Sequence, residues 1–107
     1  MDIIISKTYE YIPEWDGNRE SENPVKMICD YLTTAQIERC MSIGSANISI
    51  DRRQYLKESR PRFENLSVNG IPVCNADEFL KARGLGPLFS ELTTHILEQN
   101  NQGISKN

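Results

Sequence analysis

The chain has 107 residues, 38% of them hydrophobic and 25% charged, and its formal net charge is −3. This length fits one domain, and the excess of acidic residues argues against a general nucleic-acid coat or a membrane-surface peptide. The sequence predicts neither a signal peptide nor a membrane-spanning helix, because it lacks a basic N-terminal region and any long apolar run. Its cysteines, Cys29, Cys40 and Cys74, are odd in number and form no CxxC pair, which favours reduced thiols in the cytoplasm.

Two strands and a long loop are predicted at the start of the chain. Residues 3–5 and 8–12 are rich in β-branched and aromatic side chains, and Pro13 ends this strand because it lacks the N–H that a ladder needs. Residues 14–24 are polar and contain Asp-Gly-Asn, which is typical of a loop. Residues 25–32 are predicted to form the second strand, antiparallel to the first.

A short helix and a connector come next. Thr33 and Gln36 have the spacing of a capping box, which predicts a helix over residues 35–43. Gly44 is expected to end this helix, and residues 45–49 are predicted as a connector.

A second short helix is predicted over residues 51–58, and a hairpin follows it. Asn69-Gly70 is a dipeptide favoured in two-residue type I′ turns, and it lies between the apolar segments 63–68 and 71–73. The sequence therefore predicts that these two segments pair across the turn.

The last part of the chain has the pattern of two helices. Asn75 followed by Glu78 resembles an N-cap with its partner, and the helix it opens is expected to end at Gly84. Gly86-Pro87 begins a final helix, amphipathic to about Glu98. The complete prediction is a single α+β domain over residues 1–99, with a small antiparallel sheet of two hairpins packed by three or four short helices. Residues 100–107 are predicted as a flexible tail.

Catalytic motifs are missing from the sequence. It has a single histidine, His95, and no glycine-rich phosphate loop, GxSxG or HExxH motif. The carboxylates of residues 14–22 do not have the spacing of a calcium loop, and the cysteines do not have that of a zinc site. We therefore expect no enzyme, no catalytic residue, no metal and no cofactor.

A basic segment in the middle of the chain is one candidate binding surface. Its members are Arg52, Arg53, Lys57, Arg60 and Arg62. Helical spacing places several of them on one stripe that could contact phosphates. Acidic residues lie next to the stripe, so a solvated helix face is favoured and nucleic acid is not expected as a partner. A small nucleic-acid-binding regulator stays as the alternative of a different class.

The single tryptophan, Trp15, is the second candidate. An aromatic side chain presented on a polar turn can anchor an interface, because it buries a large area at a small entropic cost. The alternative is that Trp15 folds back to cap the sheet and brings Arg19 with it. The sequence leaves both alternatives open.

These residues belong to a segment that resembles a known family. Residues 11–19, with Pro13-Glu14-Trp15-Asp16-Gly17-Asn18-Arg19, look like the PEWxGNR element of small tail-assembly proteins of tailed bacteriophages and prophages. Residues 63–73 are similar to the ENLxVNGxPI pattern of the same proteins, and Glu78-Phe79-Leu80 and the closing helix follow in the same order. The similarity covers about the full length of the chain.

The resemblance implies a cytoplasmic, non-enzymatic protein that acts while a phage tail is built. Such chaperones are thought to cover the long apolar helices of the tail tape-measure protein and to help recruit tail-tube subunits. We therefore expect tape-measure and tail-tube proteins as partners, together with self-association, and no membrane. A structural tail component is the alternative within the same setting. The expected partner-binding residues are Pro13, Trp15, Asn18 and Arg19. Under the same resemblance, Trp15, Asn18 and Arg19 could instead be the clasp that holds the hairpin.

Overall fold

The computed structural model describes residues 1–43 and 48–105. The strands in this part of the chain are β1 (Thr8–Tyr11), β2 (Lys26–Asp30), β3 (Met41–Ile43), β4 (Ile48–Ile50), β5 (Arg62–Glu64), β6 (Ser67–Val68) and β7 (Ile71–Pro72). The α-helices are α1 (Thr34–Arg39), α2 (Arg52–Glu58), α3 (Ala76–Lys81) and α4 (Gly86–Ser105). A 3₁₀ segment, Trp15–Glu20, lies between β1 and β2. The predicted α+β class, with a small antiparallel sheet and short helices, is confirmed.

The main sheet has the strand order β1-β2-β5, with antiparallel neighbours. Side chains alternate between its two faces, so Tyr9, Met27, Cys29 and Phe63 lie together on the buried face. The predicted pairing of the first two strands is confirmed, with Tyr9 opposite Cys29. The apolar residues 3–5 are outside the strand and exposed.

Helix α1 begins as predicted but ends earlier. The Thr33 hydroxyl accepts from the Gln36 N–H and the Gln36 side chain accepts from the Thr33 N–H, which completes the capping box. The predicted end at residue 43 is wrong, because Met41–Ile43 pairs with Ile48–Ile50 as a separate hairpin. β-branched isoleucines favour this pairing. Residues 44–47 lie outside the described residues, and the part of the predicted connector at 48–49 is strand.

The second predicted hairpin is divided in two. Asn65 has a φ of 62°, which interrupts the extended backbone after Glu64. The predicted single strand 63–68 is therefore wrong: Arg62–Glu64 joins the main sheet beside β2, and Ser67–Val68 pairs with Ile71–Pro72. The type I′ turn is confirmed, since Asn69 and Gly70 have φ values of 51° and 80°.

Helix α4 is longer than predicted. The sequence predicts an end near Glu98 and a tail from residue 100, whereas the helix continues to Ser105. The Asn100 side chain accepts from the Leu32 N–H at 2.8 Å and donates to the Ile96 carbonyl at 2.8 Å, which ties this part of the helix to the end of β2. Residues 106 and 107 lie outside the described part.

The hydrophobic core lies between the main sheet and α4. Leu88, Leu92 and Ile96 project from one face of α4 at helical spacing and are at most 2% exposed. Tyr55 and Leu56 of α2 are fully buried beside them. The core thereby fixes the N-terminal half of α4 under the loop that joins β1 to β2.

Candidate functional site

The loop that joins β1 to β2, residues 13–24, contains all four predicted partner-binding residues, and we call it the Trp15 loop. Its backbone is not extended: Asp16 and Gly17 have φ values of 54° and 70° within the 3₁₀ segment. At Gly17 a Cβ would also lie 3.2 Å from Glu20 Oε2. A glycine is favoured there because left-handed backbone strains other residues. These two residues turn the loop back toward β1.

Asn18 closes the Trp15 loop from the inside. Its Nδ2 donates to the carbonyls of Pro13 at 2.7 Å and Val25 at 3.1 Å. Its Oδ1 accepts from the Val25 N–H at 2.7 Å. One side chain thus joins the two ends of the loop through three hydrogen bonds, and most of its hydrogen-bonding capacity is used.

Arg19 binds the same loop from the outside. Its Nε donates to the Ile12 carbonyl at 2.8 Å, and its guanidinium donates to Glu14 Oε1 at 2.6 Å. The guanidinium carbon lies 5.7 Å from the centre of the Tyr11 ring. The Arg19 and Glu14 side chains are 48% and 70% exposed, so their ion pair adds little stability by itself. The contribution of Arg19 is to hold the loop against the end of β1.

Glu91 of α4 anchors the start of the Trp15 loop. Its Oε2 accepts from the Tyr11 hydroxyl at 2.6 Å and from the Glu14 N–H at 2.7 Å, and its Oε1 accepts from the Trp15 N–H at 3.1 Å. The carboxylate therefore caps the N–H groups at the start of the 3₁₀ segment. Sequence reasoning missed this residue, because the bonded groups are 76 to 80 positions away along the chain.

Two rings lie beneath this anchor. The imidazole of His95 stacks on the Tyr11 ring, with centroids 3.9 Å apart and planes 16° from parallel. Burial, and then the hydrogen bond to Glu91, raise the pKa of Tyr11 to about 12. Burial lowers the pKa of His95. Both groups are therefore uncharged near neutral pH and act as packing surfaces under the loop.

Trp15 lies on the rim of a cleft of about 310 Å³. Trp15 is 39% exposed, whereas Pro13, which also lines the cleft, is less than 2% exposed. The apolar side chains that line the cleft are Pro13, Trp15, Val25, Leu66 and Leu88. The same cleft is also lined by polar residues, among them Asp16, Ser21 and Ser67. We call this cleft the Trp15 groove.

The four predicted partner-binding residues thus lie together in the Trp15 loop, but they make different contacts. Asn18 and Arg19 make the internal bonds of a clasp, and Pro13 is buried in the groove wall. Trp15 keeps a large exposed apolar surface.

The basic segment is only partly available to a ligand. The Arg52 guanidinium donates to the hydroxyls of Thr93 and Thr94, each at 3.0 Å, and so joins α2 to α4. Arg62 pairs with Asp30 at 3.0 Å. Arg53, Lys57 and Arg60 are exposed.

The three cysteines differ in exposure. Cys29 and Cys40 are buried, and burial raises the pKa of each thiol to about 11; Cys74 is exposed. Within residues 1–43 and 48–105 there is no group of three or more His, Cys, Asp or Glu side chains that could hold a metal ion. In the same ranges, none of the helices combines the length and the apolar character needed to cross a membrane.

We compared the chain with protein-family models, with curated protein sequences and with solved structures, and found no match among them.

Proposed function

We propose that this chain is a non-enzymatic tail-assembly factor of a tailed bacteriophage or prophage. On this proposal it acts in the cytoplasm of the bacterial host, where it binds the tail tape-measure protein through the Trp15 groove and helps to recruit tail-tube subunits. The observation that carries the proposal is the division of roles in the Trp15 loop: its polar side chains hold the loop, and its tryptophan is left exposed beside an apolar cleft.

The rigidity of the loop supports a binding role. Asn18, Arg19 and Glu91 fix the backbone on both sides of Trp15 before any partner arrives. A preorganised aromatic anchor loses little conformational entropy on binding, so more of the contact energy is available for affinity. Tryptophan is also among the residues that most often dominate the energetics of an interface.

The composition of the groove supports an apolar helical partner. Val25, Leu66, Leu88 and Pro13 line it together with Trp15, and polar residues complete the lining. An amphipathic helix can place one or two apolar side chains in such a groove while its polar face stays in water. The tape-measure helices expected from the family resemblance have this character.

The proposal is tested by capture of a helical tape-measure segment with wild-type chain and with Trp15→Ala. We expect the substitution to weaken capture by about 30-fold or more, as loss of a hot-spot tryptophan does. Ile71→Ala is the matched control, because Ile71 is 68% exposed on β7 and does not line the Trp15 groove. We expect this variant to capture as well as wild type.

Thermal unfolding of both variants separates binding from folding. An unfolding midpoint of Trp15→Ala close to that of wild type, together with lost capture, supports Trp15 as the contact. Equal capture by Trp15→Ala and wild type contradicts the groove as the binding site. Recovery of the chain in purified particles would favour a structural tail component instead.

A further inference from the structure

The excess negative charge of this protein is concentrated in the Trp15 loop. Residues 13–24 contain four carboxylates and one arginine, so the net charge of the loop equals that of the whole chain, −3. The arginine, Arg19, is bound to Glu14 and to the Ile12 carbonyl, and it does not line the Trp15 groove. We infer, building on the proposed helix-binding role of this groove, that the partner helix carries lysine or arginine beside the apolar side chain that enters it.

Asp16 brings a carboxylate to the groove itself. Among the described residues that line the Trp15 groove, it is the only charged one. It is exposed, and its side chain forms no ion pair or hydrogen bond with another described residue. Its φ of 54° is a left-handed conformation that glycine or asparagine adopts equally well. The backbone therefore does not require an acid here, and what aspartate adds is a negative charge at the groove.

Glu20 places a second carboxylate at the same point of the groove. Its Oε2 lies 3.2 Å from the position that a Cβ on Gly17 would occupy, and Gly17 lines the groove directly after Asp16. Glu20 is also exposed, and its side chain has no ion-pair or hydrogen-bond partner among the described residues. Two uncompensated carboxylates beside an apolar cleft attract a cation that arrives with an apolar ligand.

A helical partner can satisfy both parts of this surface at once. Side chains three or four positions apart lie on the same face of a helix. When one apolar side chain occupies the groove beside Trp15, a lysine or arginine one turn away is therefore near Asp16 and Glu20. The stem of such a side chain covers the exposed indole while its charged end reaches the carboxylates. A glutamate at that position meets two like charges, so the groove discriminates among apolar helices by the sign of their charge.

Three amphipathic helical peptides test this preference. They share one leucine face, lack tryptophan, and carry lysine, glutamine or glutamate at the positions three and four residues from the central leucine. Trp15 is the single tryptophan of the chain, so its fluorescence reports binding at the groove. We expect the lysine peptide to bind about 10-fold more tightly than the glutamate peptide at an ionic strength of about 0.05 M, and the difference to shrink at about 1 M. Equal affinities of the three peptides, or no binding of the lysine peptide, overturn the inference.

Variants that remove charge locate the preference in the protein. Asp16→Asn with Glu20→Gln removes both carboxylates, and asparagine keeps the left-handed backbone of residue 16. We expect this double variant to bind the lysine and glutamate peptides with affinities within about two-fold of each other. Glu38→Gln with Asp77→Asn is the matched control, because these exposed carboxylates of α1 and α3 do not line the groove and their loss changes the net charge equally. A control variant that loses the preference as completely shows an effect of net charge alone and overturns the inference.

Trp15→Ala separates this inference from the proposed function. A lysine peptide that binds Trp15→Ala as tightly as wild type, measured by calorimetry, is not held by the groove and overturns the inference. Tape-measure capture that Trp15→Ala loses, without any preference among the peptides in wild type, supports the proposed function and contradicts the preference for basic helices. Tape-measure capture that Trp15→Ala retains, together with a lysine preference that depends on Trp15, contradicts the proposed function and supports the preference of the groove.

Discussion

Glu91 shows how one residue can determine the shape of a distant loop. Its two oxygens accept from a hydroxyl and two backbone N–H groups of the segment around Trp15. The motif residues Asn18 and Arg19 close the loop locally, but Glu91 attaches it to α4. No local pattern in the sequence indicates this role, because a glutamate on an amphipathic helix is ordinarily a solvated side chain.

Glu91→Gln is expected to destabilise the fold by about 1 to 2 kcal/mol, because hydrogen bonds to a charged acceptor are stronger than those to a neutral amide. Urea unfolding measures the loss. Glu98→Gln is the control: Glu98 is exposed on the same helix and accepts none of these bonds. Equal midpoints for the two variants would show that the carboxylate of Glu91 does not anchor the loop.

His95 is expected to make the stability depend on pH. Its pKa lies below the ordinary value of 6.5 because of burial; Arg19 acts in the same direction, and Glu91 and Glu98 oppose it. The unfolded chain therefore binds the proton first as the pH falls. The contribution of the neutral imidazole, stacked on Tyr11, is complete above about pH 6.5 and is lost as the pH falls toward the lowered pKa.

The measurement is the urea midpoint of wild type and His95→Gln between about pH 7.5 and about pH 5.5. We expect the wild-type midpoint to fall more than that of the variant over this interval. Because the carboxylates titrate in both proteins, the difference between the two curves isolates His95. A variant whose midpoint falls as far as that of wild type would contradict the assignment.

Among the elements, those that the sequence predicts well are specified by neighbouring residues. The capping box at Thr33, the N-cap at Asn75 and the turn at Asn69-Gly70 each depend on residues within four positions. The errors involve distant pairing. Met41–Ile43 continues a helical pattern locally but pairs with Ile48–Ile50, and a pairing of that kind overrides local propensity.

The same distinction applies to the candidate site. A short motif is enough to single out Trp15 and its turn. The sequence leaves open whether Trp15, Asn18 and Arg19 contact a partner or form a clasp, and in the structure Asn18 and Arg19 make the internal bonds. The groove could not be predicted, because Leu66 and Leu88 reach it from the hairpin segment and from α4. These two side chains line the same cleft only because the complete core packs α4 against the rest of the protein.

The β6–β7 hairpin offers a test at the level of one element. Gly70 has a φ of 80°, and the space around a Cβ there is open, so a substitution acts through the backbone. Gly70→Ala is expected to destabilise the protein by about 1 kcal/mol, because left-handed backbone is unfavourable for alanine. Gly70→Asn should lose less, since asparagine tolerates this conformation. Equal losses, measured by urea unfolding, would contradict a backbone origin.

At the scale of the whole molecule, the distribution of charge argues against nucleic-acid binding. The net charge is −3, and of the basic segment Arg52 and Arg62 are held by bonds within the protein. Arg53, Lys57 and Arg60 alone give a weak phosphate-binding surface.

We therefore expect no shift of duplex DNA in a gel assay at low salt, where association dominated by phosphate contacts is strongest. Binding that weakens steeply with salt, and that Arg53→Ala with Lys57→Ala abolishes, would instead support a nucleic-acid-binding regulator. The same double substitution should leave capture of a tape-measure segment unchanged.

The hydrogen bonds between Glu91 and the Trp15 loop also determine when the loop can become ordered during synthesis of the chain. The motif leaves the ribosome early, but the N–H groups of Glu14 and Trp15 have no acceptor until α4 has been made and packed. A nascent or C-terminally shortened chain therefore carries the tryptophan without the rigid loop that presents it. The loop around Trp15 thus takes its final shape only after Glu91 has been made and α4 has packed.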